Sequence, residues 1–114
     1  MTHTVAYIFR RKPGMSLEAF LTYYEKIHGP LMVRILENRG LVSYDHYPVR
    51  PHGLGDDYVQ EGGPDYDAIS IYTFASGQHA ADAWPIPELK EDSMNFIDFD
   101  SMITLPIAHR RVFP

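Results

Sequence analysis

The sequence contains no cysteine. Disulfide scaffolds, zinc ribbons, iron–sulfur clusters and thiol catalysis are therefore excluded. No apolar run approaches the roughly 20 residues of a membrane-spanning helix, and Met1–Arg10 lacks the layout of a signal peptide. A cytoplasmic protein without a membrane partner is expected. Positive charge is also scarce. Ten Lys and Arg stand against 15 Asp and Glu, for a net charge of −5, whereas phosphate binding needs a basic surface. Nucleic acid is not an expected partner. There is no Gly-x-Gly-x-x-Gly or Walker sequence, and Gly53-Leu54-Gly55 lacks the helix that a dinucleotide site requires. No His-x-His or His-Glu-x-x-His spacing occurs. Neither a cofactor nor a metal is expected.

What is present is a chain of 114 residues, 45% hydrophobic and 13% aromatic, enough for one domain spanning 1–114 around one core. Charge is unevenly spread. Residues 1–50 carry seven Lys and Arg against four Asp and Glu, and residues 51–114 carry three against eleven. The cluster Arg10-Arg11-Lys12 is read as a solvated turn rather than an anion site.

Thr4–Phe9 is β-branched and aromatic and runs into Pro13-Gly14, a strand followed by a breaker. Ser16 stands at an N-cap position, with Glu18 in the first turn. Leu17, Phe20, Leu21, Tyr24, Ile27, His28, Leu31 and Ile35 then recur at helical spacing. Pro30 falls inside this helix and is expected to kink or restart it near His28-Gly29, and Gly40 is a natural C-cap. A second strand is expected over Leu41–Val49, with Val42, Tyr44 and His46 on one face and Ser43, Asp45 and Tyr47 on the other. Residues 51–65 hold four glycines and two prolines and read as a long acidic loop, a kind that is usually functional or disordered. A strand at Tyr66–Phe74, a short helix at Ser76–Trp84, a turn at Glu88–Met94 and a last strand near Ser101–Phe113 complete the chain.

The order strand, helix, strand, strand, helix, strand is the ferredoxin-like βαββαβ arrangement, an α+β fold with an antiparallel sheet. A sheet with one wet face alternates cleanly between apolar and polar residues. Here Val5, Tyr7 and Phe9 sit beside Ala6 and Ile8, and Ile69 and Ile71 beside Tyr72 and Phe74. A homodimer packed through the open sheet face is expected.

Phe9-Arg10-Arg11-Lys12-Pro13-Gly14-Met15-Ser16-Leu17-Glu18-Ala19-Phe20, followed by Tyr24 and His28-Gly29-Pro30-Leu31, resembles the opening of EthD-domain proteins. Tyr66-Asp67, Phe74 and Phe96-Ile97-Asp98 extend the resemblance along nearly the whole chain. The 51–65 loop departs from it, being longer and more acidic than in simpler members. The resemblance implies a dimeric α/β barrel with a small-molecule pocket between sheet and helices. The wider superfamily includes cofactor-free monooxygenases, decarboxylases, isomerases and polyketide cyclases, so the reaction itself stays open.

His28 is the first catalytic candidate, because imidazole both takes and gives a proton near neutral pH. The alternative is a buried histidine that bonds a carbonyl freed by Pro30. Tyr44 and His46, two apart on one strand, suit an acid–base pair, and Tyr/His pairs serve that role in polyketide cyclisation within the superfamily. Packing within the sheet is the alternative. Asp98 is a candidate to orient a histidine or to cap the segment that follows it. His109, expected on the last strand, is held in reserve, while His3, His52 and His79 look peripheral. Tyr7, Phe9, Tyr24, Tyr72, Phe74 and Trp84 supply aromatic surface for a planar apolar substrate, or ordinary core. The expected function is cofactor-independent chemistry on a hydrophobic aromatic or polyketide-like compound by His-mediated proton transfer, of a decarboxylase, dehydratase or cyclase type. Two alternatives stand beside it. One is cofactor-free oxygenation of an anthrone- or hydroquinone-like substrate, and the other is a non-catalytic binding role.

Overall fold

In the computed structural model, residues 1–49 and 66–114 are described. The expected 51–65 loop, with His52, lies outside the described residues. Apolar alternation from the first residues produces β1 (His3–Arg11). Its charged end does not simply meet solvent. The Arg11 backbone N–H and guanidinium bond the Asp67 carboxylate at 2.7 and 3.3 Å, and the Arg10 guanidinium lies over the Tyr66 ring.

Ser16 caps α1 (Leu17–Tyr23), its hydroxyl accepting the Ala19 N–H at 3.1 Å as the cap position requires. The helix then widens into a π-turn (Tyr24–His28) and resumes as α2 (Gly29–Leu36). The Gly29 N–H reaches back to the Tyr24 carbonyl, an i→i−5 bond that loosens the ladder just before Pro30, where a donor is missing. The restart expected near His28-Gly29 is therefore present. The wide turn also shifts the inward stripe. The fully buried residues are Phe20, Tyr24, His28, Met32 and Leu36, four apart throughout, while Ile27, expected inward, is 49% exposed. Gly40, at φ +84°, ends the unit. A Cβ there would lie 2.5 Å from the His79 ring, so both conformation and space demand glycine.

β2 (Leu41–Pro48), β3 (Ala68–Phe74) and β4 (Ile97–Ile107) join β1 in one antiparallel sheet of order β2-β3-β1-β4. α3 (Gly77–Ala83) and α4 (Pro87–Met94) connect β3 to β4. This is the ferredoxin-like α+β fold. Among the described residues no helix is long and apolar enough to cross a membrane.

Two irregularities correct the expected strand faces. Between Leu41 and Ser43 the β2–β3 register slips, so Leu41 packs on the core and Val42, 59% exposed, bulges away from the face of Tyr44 and His46. Along β1–β4 the partners pass from Ile8–Ile103 to Arg10–Asp98. The slack in β4 is pinned where the Ser101 hydroxyl accepts the Arg10 N–H at 2.9 Å and donates to the Asp98 carbonyl at 2.6 Å. β4 also begins and ends earlier than expected, which leaves His109 beyond the strand and exposed.

The helix-covered face of the sheet carries two apolar clusters. One gathers Phe9, Phe20, Tyr24, Ala68, Phe96 and Ile97. The other gathers Val5, Met32, Leu36, Tyr72, Phe74, Ala83 and Leu89. On the opposite face the register sets Ala6 between Ile71 and Leu105, and Ile8 between Ile69 and Ile103. Ile103, Leu105 and Ile107 are exposed there.

Candidate active site

The space between sheet and helices is walled by aromatic rings, with Tyr7 and Phe9 from β1, Tyr72 and Phe74 from β3, and Trp84 from the end of α3. Measured to the surrounding atoms and out to its mouth, it holds about 450 Å³. It is a narrow slot. Trp84 stacks on Tyr7 with centroids 5.3 Å apart and is 43% exposed, placing the chain's single tryptophan at the edge of the slot. Met102, on the slack segment of β4, reaches the same wall.

His28 stands on this wall and is 3% exposed. The π-turn carries it inward, against the Phe96 ring at 4.6 Å. Its Nδ1 lies 2.8 Å from Asp92 Oδ2, and the other oxygen of Asp92 accepts the Tyr23 hydroxyl at 2.6 Å. Asn95 Nδ2 in turn donates to that hydroxyl at 3.0 Å. Burial pushes the His28 pKa below its ordinary 6.5, and the opposing hydrogen bond and charge of Asp92 only partly offset it. The ring is thus neutral at pH 7. With Nδ1–H donating to Asp92, the lone pair stays on Nε2, which has no partner among the described residues. A carboxylate behind Nδ1 fixes the tautomer and stabilises the imidazolium once Nε2 takes a proton. The geometry is that of a general base.

A second polar chain runs behind the aromatic wall. The Tyr72 hydroxyl donates to Tyr44, and the Tyr44 hydroxyl donates to His46 Nε2 at 2.5 Å. Ser70 contacts the Tyr44 hydroxyl and sits 2.7 Å from the hydroxyl of Tyr24. Burial raises the Tyr24, Tyr44 and Tyr72 phenols well above 10, keeping them protonated as donors. Burial, reinforced by the repulsion that His28 exerts when protonated and opposed by Asp45, pushes His46 down to about 4. His46 therefore accepts. Its ring stacks on Tyr24 at 3.7 Å and lies over Gly29, where a Cβ would come within 3.1 Å of Cε1.

Five of the six aromatics expected to line a pocket do so. Tyr24 is the exception, packed among Phe9, Phe20 and Phe96. The carboxylate at His28 is Asp92, not Asp98. Asp98 accepts the Asp100 N–H at 3.2 Å, an ordinary local cap. His109 is not brought to the slot. Asp92 had a signal in the sequence, because in α4 it stands three residues after Leu89 and beside Ser93, on the buried stripe. An acid on an apolar stripe is a buried charge that needs a partner. Ser70, between Ala68 and Tyr72 on the inward face of β3, carries a similar signal. Among the described residues no three His, Asp or Glu side chains converge as a metal site requires.

The EthD domain model matches residues 12–100. An ethyl tert-butyl ether D (EthD) family protein from Bacillus halodurans superposes with a TM-score of 0.66 at 16% identity, over 96% of this chain and 100% of that one. The cofactor-independent oxygenase SnoaB from Streptomyces nogalater gives 0.59 at 12% identity, over 99% and 97%. A dimeric ferredoxin-like protein of unknown function from Bacteroides fragilis gives 0.63 at 8%, over 95% and 96%. Comparison with curated proteins found no match. At these identities the likeness is one of fold.

Proposed function

We propose that this chain, which belongs to the EthD domain family, is a cofactor-independent enzyme that moves a proton on a hydrophobic aromatic or polyketide-like compound held in the slot. The observation that carries the reading is the neutral His28 on the slot wall with Asp92 behind it. Nε2 takes a proton from an acidic C–H, and the bonding pair stays on the substrate as an enolate. The imidazolium then returns its proton to a departing hydroxyl, so that water leaves and a double bond or ring remains. Elimination or ring closure needs only these groups and a shaped apolar cavity.

The working unit in this reading is a homodimer joined through the open face of Ala6, Ile8, Ile69, Ile71, Ile103 and Leu105. Contiguous apolar patches of this kind mark interaction surfaces.

A second reading shares the first step. The fold likeness to a cofactor-independent oxygenase favours an enolate that reacts with molecular oxygen. Exchange of the acidic C–H of anthrone in D2O, followed by NMR without oxygen, tests the shared step. The wild type accelerates exchange and His28→Ala does not. Exchange at the buffer rate with both proteins overturns catalysis and leaves a binding role. Oxygen consumption with the wild type then separates oxygenation from elimination.

A further inference from the structure

We infer that the slot selects an uncharged substrate and rejects carboxylates of the same shape. This inference rests on the proposed function and narrows it, since it turns the chemistry toward dehydration or ring closure and away from decarboxylation of a free acid.

The argument begins with what a bound anion would meet. The polar groups of the wall among the described residues are His28, Ser70, Ser93 and the phenols of Tyr7 and Tyr72, and all of them are neutral at pH 7. Burial lowers the His28 pKa and raises those of Tyr7 and Tyr72. Behind His28 stands Asp92, 8% exposed, whose two oxygens are held by neutral donors, His28 Nδ1 and the Tyr23 hydroxyl. This acid therefore brings negative charge to the site, with no cation bonded to it among the described residues. The nearest elements hold their cations elsewhere, with Arg11 on Asp67, Arg34 4.0 Å from Glu88 at the outer side of α2 and α4, and Lys26 and Lys90 exposed to solvent, none of them lining the slot.

A carboxylate entering this slot loses its hydration, gains no cation, and faces a carboxylate one imidazole away. A ketone or phenol of the same shape loses far less. Its oxygen needs one donor, which the Tyr7 hydroxyl, not engaged elsewhere among the described residues, can supply, and its rings meet aromatic surface. The same arrangement serves the chemistry. Negative charge behind His28 favours the imidazolium, so a neutral substrate is deprotonated most readily in the place where an anionic one is least welcome.

The test uses two probes of nearly identical size, 2-acetylnaphthalene and 2-naphthoate, which differ by a methyl group in place of an anionic oxygen. Calorimetric titration of the full chain at pH 7.5 is expected to show the ketone binding at least tenfold more tightly, which corresponds to about 1.4 kcal/mol. Asp92→Asn is expected to narrow that ratio by strengthening naphthoate. Equal or tighter binding of naphthoate by the wild type overturns the inference and leaves an aromatic pocket in place. Binding of neither probe overturns the inference together with the proposed function.

Discussion

The two faces of this sheet are built from similar amounts of apolar residue to opposite ends. On the helix side, aromatic rings alternate with fixed polar groups, so that Ser70 sits between Ala68 and Tyr72 and His46 lies on the ring of Tyr24. On the other side the register lines up Ala6, Ile8, Ile69, Ile71, Ile103 and Leu105 as an aliphatic patch, edged on the β2 side by Tyr47 and Asp45. Aliphatic surface has no directional demand and is satisfied by anything that excludes water. The helix side instead fixes distances and protonation states. In the proposed reading association is the business of one face and chemistry that of the other, and each can be broken separately.

The largest effect is expected from Ile71→Asp. A charge there, beside Asp45 and repeated by symmetry in the partner, is expected to weaken the dimer by on the order of 10⁴-fold or more, since an uncompensated buried charge costs roughly 3 kcal/mol or more at each of the two positions. Analytical ultracentrifugation reads this as a shift to monomer. A variant that remains a dimer at micromolar concentration breaks the comparison.

Next in size is His28→Ala, with an expected loss of roughly 10²- to 10⁴-fold in anthrone exchange and an unchanged dimer. Asp92→Asn is expected to lose less, because the base remains and only its tautomer and stabilisation suffer. If Asp92→Asn instead matches His28→Ala, the two act as one unit.

The pH dependence sharpens the same face. A base whose folded pKa lies below 6.5 is active above that folded value, so kcat/KM is expected to fall on the acid side of 6.5 and to stay level through neutrality. Stability follows the same sign. The unfolded chain binds protons at these histidines below pH 6.5 while the folded chain does not, so stability present above 6.5 is lost as pH falls. For His46 the loss runs from 6.5 to about 4. Its size is below the about 3 kcal/mol that the full shift would carry, because the ring is partly exposed and screened. Urea midpoints across that range, compared between wild type and His46→Gln, measure it.

The smallest effect is expected from Gly29→Ala. The helix gains up to about 1 kcal/mol of propensity, while the new Cβ presses on His46 at 3.1 Å. Thermal stability is expected to change little. The His46 ring resonances in NMR are expected to move, and an unmoved ring would show that the relay side tolerates more slack than its packing suggests.

The helix stripe and the Pro30 break were legible because they are local. Backbone periodicity and a missing donor act within a few residues of themselves. The two-sided apolar strands declared the open face for the same reason. Val42 was misplaced because a bulge depends on how β2 meets β3 and not on β2 alone. Tyr24 falls to the core alternative, because an inward ring and a packed ring have the same helical period, and only Phe9, Phe20 and Phe96 closing round it decide between them.

The sequence by itself determined the element order, the α+β class, the inward position of His28 and the apolar character of both sheet faces, since each follows from spacing along the chain. Only the tertiary structure decided that Asp92, 64 residues away, stands behind His28, that Asp98 serves its own turn, and that His109 lies outside the site. Those pairings depend on where α4 lands on the π-turned helix, which is a matter of packing among distant side chains that no local pattern encodes.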